Sequence, residues 1–284
     1  MATQIAGQVV LRPMTAGDLE AATELSREQS WPHREEDWNL FLELGEGIVA
    51  DLDGTVVGTI MGWRFGKDAA TLGMVIVSNA AQGRGIGRKL TEAMLEKLKG
   101  RSILLNATED GLPLYAKLGF VEIGTVFQHQ APAPTVPLAE LVPGERVRPM
   151  GAADDCLTEM YSRACGMDRT ELFSALVASS NTVVLTRDHL PVGFALFRRF
   201  GRGWSIAPVA APDEGGAKAL ISHWLGANTG SFCRLDVTEE SGLSAWLEEL
   251  GLPRVGTVKT MVLGSAPVGD PSVHAYGLAA QALG

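Results

Sequence analysis

The chain has 284 residues, enough for two domains of ordinary size. Its hydrophobic share of 46% and charged share of 20% are those of a globular protein with a substantial core. A net charge of −9 argues against a general nucleic-acid binder, which needs cationic surface to neutralise phosphates, and is compatible with a cationic small substrate.

In chain order, Val9–Arg12 reads as an opening strand, and Asp18 is expected to cap a helix with Leu19, Ala22 and Leu25 on one side. Gly47–Ala50 and Val56–Met61 are strands joined at Asp53-Gly54, a dipeptide suited to a tight hairpin turn. Ala70–Val77 is a further strand. A helix follows over 87–99, with Ile86, Leu90, Ala93, Met94 and Leu98 on one face and Gly100 ending it. Ser102–Leu105 is a strand, 110–118 a short helix closed by Gly119, and Phe120–Phe127 a last strand. This alternation predicts an α/β (α+β layered) domain.

The elements then recur. Leu11–Asp18 matches Val147–Asp154, Val49–Gly58 matches Val184–Gly193, Leu105–Glu109 matches Leu235–Glu239, and Gly124–Val126 matches Gly256–Val258. Small, ordered drifts in spacing are what loop-length changes between two related units produce. The Pro-rich stretch Ala131–Pro137, with Pro143-Gly144 beyond it, lacks the N–H groups a helix or central strand needs. The expected division is a first domain over 1–130, a linker over 131–145 and a second domain over 146–284. The tail Gly264–Gly284 is Gly/Ala-rich with Tyr276 and Leu278, and the sequence leaves its docking open.

The longest strongly apolar runs, such as Met74–Val77, are strand-sized and too short to cross a membrane. No basic segment followed by an apolar core opens the chain at Met1–Gln4, so a cytoplasmic protein is expected. Cys156, Cys165 and Cys233 show no C-x-x-C spacing and read as buried thiols. The five histidines are scattered without a ligand-pair motif, so no metal is expected.

The chemistry concentrates where a buried strand runs into Gln82-Gly83-Arg84-Gly85-Ile86-Gly87 and an amphipathic helix opens. Glycines let the backbone approach a ligand, and the free N–H groups and dipole of a helix start attract an anion. Arg84 and Arg88 add charge at the rim. The spacing G-x-G-x-G departs from the dinucleotide fingerprint, and Lys89-Leu90 departs from a nucleotide-triphosphate loop. A structural turn that binds nothing is the remaining alternative.

The loop resembles the Q/R-x-x-G-x-G/A motif of the GNAT superfamily of N-acetyltransferases, and Leu114–Phe120 is similar to that family's Y-x-K-x-G-F signature. The resemblance covers most of residues 8–128. It implies tandem GNAT-like domains, each a mixed, mostly antiparallel sheet flanked by helices, with acetyl-CoA as cosubstrate. Carried onto this sequence, Met74, Val75, Ile76 and Val77 line pantetheine, residues 82–88 (Gln82, Gly83, Arg84, Gly85, Ile86, Gly87 and Arg88) hold the pyrophosphate, and Asn106 is a further coenzyme contact. Tyr115 is the expected acid for the departing thiolate, although its place on an apolar helix face also suits a core aromatic.

For the base, His33, Glu28, Glu109 and Asp110 are candidates, and the sequence selects none. Trp31 and His33, with Trp38, form an aromatic-rich segment that suits an acceptor wall, or simply a packed helix pair. In the second repeat, Gly215, Gly216, Ala217 and Ala219 align with Gly83, Arg84, Gly85 and Gly87, preceded by Asp213-Glu214, and Leu247 aligns with Tyr115. Acidic groups there repel a pyrophosphate, so a non-catalytic second domain is expected. The reading is direct acetyl transfer to a primary amine of a small molecule or protein, without nucleic-acid or membrane partners. The alternative is a non-catalytic acyl-CoA-binding or regulatory module. Acceptor and oligomeric state are left open.

Overall fold

The structure, a computed structural model, describes residues 7–137 and 139–284. Met1–Gln4, read above for a leader, and Leu138 of the linker lie outside the described residues. The first series of elements is β1 (Val9–Pro13), α1 (Leu19–Glu28), α2 (Glu35–Leu44), β2 (Glu46–Leu52), β3 (Thr55–Phe65), β4 (Ala69–Val77), α3 (Ile86–Lys97), β5 (Ser102–Ala107), α4 (Leu112–Lys117) and β6 (Val121–Pro132). The second is β7 (Glu145–Pro149), α5 (Cys156–Cys165), α6 (Thr170–Ala178), β8 (Asn181–Arg187), β9 (Leu190–Phe200), β10 (Gly203–Ala211), α7 (Glu214–Ala227), β11 (Phe232–Thr238), α8 (Leu243–Glu249) and β12 (Arg254–Leu263). A short β13 (His274–Gly277) follows.

By packing the chain forms two compact units. One runs to Ile103 and takes in Phe200–Arg202; the other comprises Leu104–Arg199 and Gly203–Gly284. This cut falls within β5, ahead of the Pro-rich stretch.

In the first unit β1, β2, β3 and β4 pair antiparallel in chain order. Asp53 (φ 52°) and Gly54 (φ 86°) are both left-handed, as a tight hairpin turn requires. Helix α3 buries Ile86, Leu90 and Met94, with Leu98 just beyond its end, against the sheet. Gly62 permits that approach: a Cβ there would stand 2.6 Å from the Met94 sulfur. Trp38, fully buried, donates its indole N–H to Ser26 Oγ at 3.0 Å, and Trp63 donates to the Phe41 carbonyl at 2.9 Å. Trp38 is therefore a core residue joining α1 and α2, which decides between the two readings of that tryptophan.

Asp18 stands at the start of α1 but makes no cap bond to that helix. Its carboxylate turns back to accept from both Arg12 Nη atoms (2.9 and 2.8 Å) and from the Thr15 N–H at 2.8 Å. Arg148 and Asp154 repeat the pair at 2.7 Å, with the Gly151 N–H in place of Thr15. The best-matched sequence block is thus a bidentate clasp tying each repeat's first strand to its first helix.

In the second unit the strand order is β5–β12–β6–β11–β10–β9–β8–β7. The last strands of the two repeats have changed places. β6, from the first series, pairs antiparallel with β11 and β12 of the second, while β12 adjoins β5 of the first. β6 reaches into the Pro-rich stretch, where Ala131 pairs with Cys233 and Pro132 with Phe232. β10 and β11 are parallel and pair only at Trp204–Ser205 with Cys233–Arg234. The tail docks: β13 pairs with β10, and Ala279, Ala280 and Leu283 are buried.

The cysteines depart from expectation. All three are free thiols, but only Cys233 is buried and Cys156 is exposed, because Cys156 begins a surface helix whereas Cys233 faces the core from β11. No helix among the described residues is long and apolar enough to cross a membrane.

The clasp predicts that Asp18→Asn and Asp154→Asn each lower the unfolding free energy at pH 7 by about 1–3 kcal/mol, measured by urea titration. The hydrogen bonds from Arg12 hold the Asp18 carboxyl down at about 2. Its contribution is therefore complete above the ordinary carboxylate range and vanishes as pH falls toward that value. The exchange predicts that in a chain ending at Thr135 the amides of β6 lose their protection from hydrogen exchange, because β6 then lacks both of its neighbours.

Candidate active site

The site begins with a defect in β4. Thr59 pairs with Ile76 and Met61 with Gly73, so one residue of β3 faces two of β4, Met74 and Val75. Such a bulge bends the strand and takes backbone groups out of the ladder. Met74 absorbs the distortion in the left-handed region (φ 54°), and its carbonyl accepts from the buried Thr59 hydroxyl at 2.9 Å. A bulky residue held there costs about 1–3 kcal/mol, and such strain clusters at functional positions. Val75 and Val77 are half-buried, whereas the Met74 and Ile76 side chains are buried.

Residues 78–85 lead from this strand to α3. Their start is tied down: Glu28 accepts from the Ser78 hydroxyl and the Asn79 N–H, each at 3.2 Å, and the Ser78 N–H donates to the Val57 carbonyl. Glu28, a candidate base, thus braces the loop. Gln82 donates its amide back to the Val77 carbonyl at 3.2 Å and to Asn79 Oδ1 at 3.1 Å.

Beyond it the loop opens. Gly83 and Gly85 have φ of 76° and 73°, with no atom within 4 Å of where a Cβ would stand. Gly85 caps α3 with no side-chain bond. The first N–H groups of the helix therefore face outward with the positive end of its dipole. Ile86 is buried and anchors this end, while Arg84 and Arg88 are exposed at the rim. Arg84 reaches the Gly7 carbonyl at 3.2 Å, and Arg88 pairs with Glu92 at 2.7 Å. Open space over left-handed glycines, with uncapped amides behind it, is a cradle that fits a phosphate group.

In the second repeat only Pro212 and Asp213 separate β10 from α7. Asp213 caps the helix itself, accepting from the Gly216 N–H at 2.8 Å, and its second oxygen accepts from Arg187 at 3.0 Å. The structure departs from a glycine-by-glycine match of the two repeats. Gly215, Gly216, Ala217 and Ala219 lie inside α7, and the loop itself has been deleted. A protein carboxylate stands where the first repeat leaves its amides open.

Tyr115 is the buried residue of α4. Its ring lies 5.9 Å from Phe120, its carbonyl accepts from the Phe120 N–H, and a Cβ on Gly111 would touch the ring at 3.0 Å. Burial pushes the phenol up to about 12, so it remains a proton donor throughout the ordinary pH range. No described residue accepts from its hydroxyl. Leu247 holds the same place in the second repeat: its carbonyl accepts from the Leu252 N–H as that of Tyr115 does from Phe120. Leucine has no proton to give.

Asn106, half-buried on β5, donates its amide to the Gln281 carbonyl at 2.7 Å and accepts from the Thr260 hydroxyl at 2.7 Å. Neither partner is legible in the sequence, where the one signal is the polar match of Asn106 with Asp236 across the repeat.

Trp31 and His33 follow α1. The His33 ring lies 6.0 Å from Trp31, 6.4 Å from Trp38, 5.9 Å from Phe41 and 5.6 Å from Phe200, so it is half-buried among aromatic edges. Beside it Arg34 and the Gly201 N–H both bond Asp37, at 2.7 and 2.9 Å, another pairing the sequence left unmarked. Glu109 and Asp110 are exposed ahead of α4.

Two segments match family models for an Acetyltransferase (GNAT) domain, residues 43–122 and 157–277. Among curated proteins the chain is 26% identical over 267 residues to the Uncharacterized N-acetyltransferase YitH of Bacillus subtilis (strain 168), covering 92% of this chain and 93% of that one. Among solved structures it resembles a protein from Pyrococcus horikoshii provisionally described as an acetyltransferase, with a TM-score of 0.80, 22% identity and coverage of 97% and 96%. A tandem GNAT protein from the clavulanic acid biosynthesis pathway follows the same fold, with a TM-score of 0.64, 15% identity and coverage of 93% and 100%. With two matched segments that together span more than half its length, and neighbours of the same fold over nearly all of it, the chain belongs to the GNAT superfamily of N-acetyltransferases as a tandem member.

Proposed function

We propose that this protein transfers the acetyl group of acetyl-CoA directly to a primary amine, using a single coenzyme site on the first repeat. The observation that carries the reading is the contrast between two helix starts: α3 opens on uncapped amides and left-handed glycines, whereas α7 is closed by its own Asp213. In this reading Gln82, Gly83, Arg84, Gly85, Ile86, Gly87 and Arg88 hold the pyrophosphate, and the bulged backbone of Met74, Val75, Ile76 and Val77 meets pantetheine. Acetyl-CoA supplies the activated acyl group. The amine nitrogen bonds to the acetyl carbon, the carbon–sulfur bond breaks, and the sulfur takes a proton from the Tyr115 hydroxyl. The proton shed by the amine leaves to solvent, and the phenol is reprotonated from there.

The acceptor is an amine of a small molecule or of a protein, Trp31 and His33 belong to its wall, and the reaction is cytoplasmic. Neither nucleic acid nor membrane is a partner in this reading. A pure acyl-CoA-binding module would instead show affinity without thiol release.

Three measurements test the proposal. Tyr115→Phe should lower turnover by roughly 10- to 100-fold in a thiol-release assay over an amine panel, with acetyl-CoA affinity within about twofold; unchanged turnover removes the role. Because burial holds the phenol up to about 12, turnover should show no basic-side fall from its ionisation until pH approaches that value. Gly85→Asp places a carboxylate at the α3 cap, as Asp213 does at α7, and should weaken acetyl-CoA binding by more than about tenfold by calorimetry.

A further inference from the structure

The tail takes a path that the second repeat leaves open. β10 and β11 pair at Trp204–Ser205 with Cys233–Arg234 and then part. β13 enters the fork: Val209 pairs with Gly277, Ala210 with Ala275 and Ala211 with His274, while the Leu278 N–H donates across to the Asp236 carbonyl at 2.9 Å. β10 is the counterpart of β4, and Val209–Ala211 hold the places of Val75–Val77. The main chain of the tail thus lies along the edge that, in the first repeat, is assigned to the coenzyme. Arg198 donates to the Ala279 carbonyl at 2.6 Å, and Arg169 to those of Leu283 and Gly284 at 2.6 and 3.2 Å. Val273, Tyr276, Ala279 and Leu283 are buried.

Held this way, the tail brings Gln281 between two equivalent positions of the repeats, Asn106 and Asp236. The Gln281 side chain donates to Asp236 Oδ1 at 3.0 Å and to Gln128 Oε1 at 3.3 Å, while its carbonyl accepts from Asn106 Nδ2 at 2.7 Å. Asp236 is itself fixed by Arg234 through bonds of 2.8 and 3.1 Å. With the Thr260 hydroxyl on Oδ1, these bonds determine which way the Asn106 amide faces. They leave its second N–H without a partner among the described residues, on a residue that is only half-buried.

We propose that the degenerate repeat holds the C-terminal segment in its vacated coenzyme fork as an internal strut, and that Gln281 and Thr260 are positioning residues which fix the Asn106 amide for acetyl transfer. Asn106 is a coenzyme contact by the family resemblance, so its part in the reaction rests on the function proposed above; the seating of the tail does not.

The test uses the full-length chain. Thr260→Val, which removes the hydroxyl that Asn106 accepts from, should lower kcat by roughly 3- to 10-fold, with the KM for acetyl-CoA within about twofold, and Thr260→Ser should restore kcat. Gln281→Ala keeps the main-chain carbonyl that accepts from Asn106 but removes the side chain that seats it on Asp236 and Gln128, and should lower kcat in the same direction. A merely structural role would lower Tm and leave kcat of the folded protein unchanged, and that result overturns the positioning claim. Hydrogen exchange reads the seat. Acetyl-CoA should slow the amides of 83–88 and leave those of 275–278 unaltered, whereas faster exchange in the tail means the coenzyme displaces it and overturns the proposal. If the unaltered chain neither binds acetyl-CoA nor releases thiol, the proposed function fails on its own. The seat is then judged by Gln281→Ala alone: faster exchange at Leu278 supports it and unchanged exchange overturns it.

Discussion

The antiparallel pairing of β6 with β12 is the contact on which the second unit depends. A strand with a bare edge inside a folded protein leaves N–H and C=O groups unanswered, and each such group costs more than a made hydrogen bond returns. Here the closing strand of each repeat answers the edge of the other: β12 adjoins β5, and β6 lies between β12 and β11. Neither repeat is complete without the other's last strand. That accounts for a chain whose sequence divides at a Pro-rich stretch while its packing divides within β5.

The two repeats share one architecture and differ at positions that carry no structural burden. The copies kept the Arg–Asp clasp, the hairpin turn of two left-handed residues and the carbonyl bond after the last short helix. They separated at a helix start. A helix must dispose of its first N–H groups, and there are two ways to do so. The second repeat shortened the connection and supplied Asp213, a stable solution that bars an external anion. The first kept a longer loop that leaves the amides available. Leu247 stands where the first repeat has the Tyr115 phenol, and its buried apolar side chain avoids the cost of a buried hydroxyl.

The bulge at Met74 shows the converse. It is a local strain in the repeat that kept its loop, supported by a buried hydroxyl from the neighbouring strand. On the other repeat a polypeptide segment, β13, lies along the equivalent stretch of β10.

The sequence by itself determined the repeat, the hairpin at Asp53-Gly54, the buried face of α3, the Gly-rich loop and the family. Each is a matter of local spacing, where periodicity or a left-handed glycine leaves a mark within a few residues. Asp18 suits a cap as well as a clasp because both use one residue type, and only the placement of Arg12 separates them. Tertiary structure alone decided that the last strands change places, that Trp38 is core, that the second repeat lost its loop rather than its glycines, and that Gln281 reaches Asn106. These depend on which strand edges and polar groups meet across a hundred residues or more. A single sequence records the groups that need partners but not the partners they find.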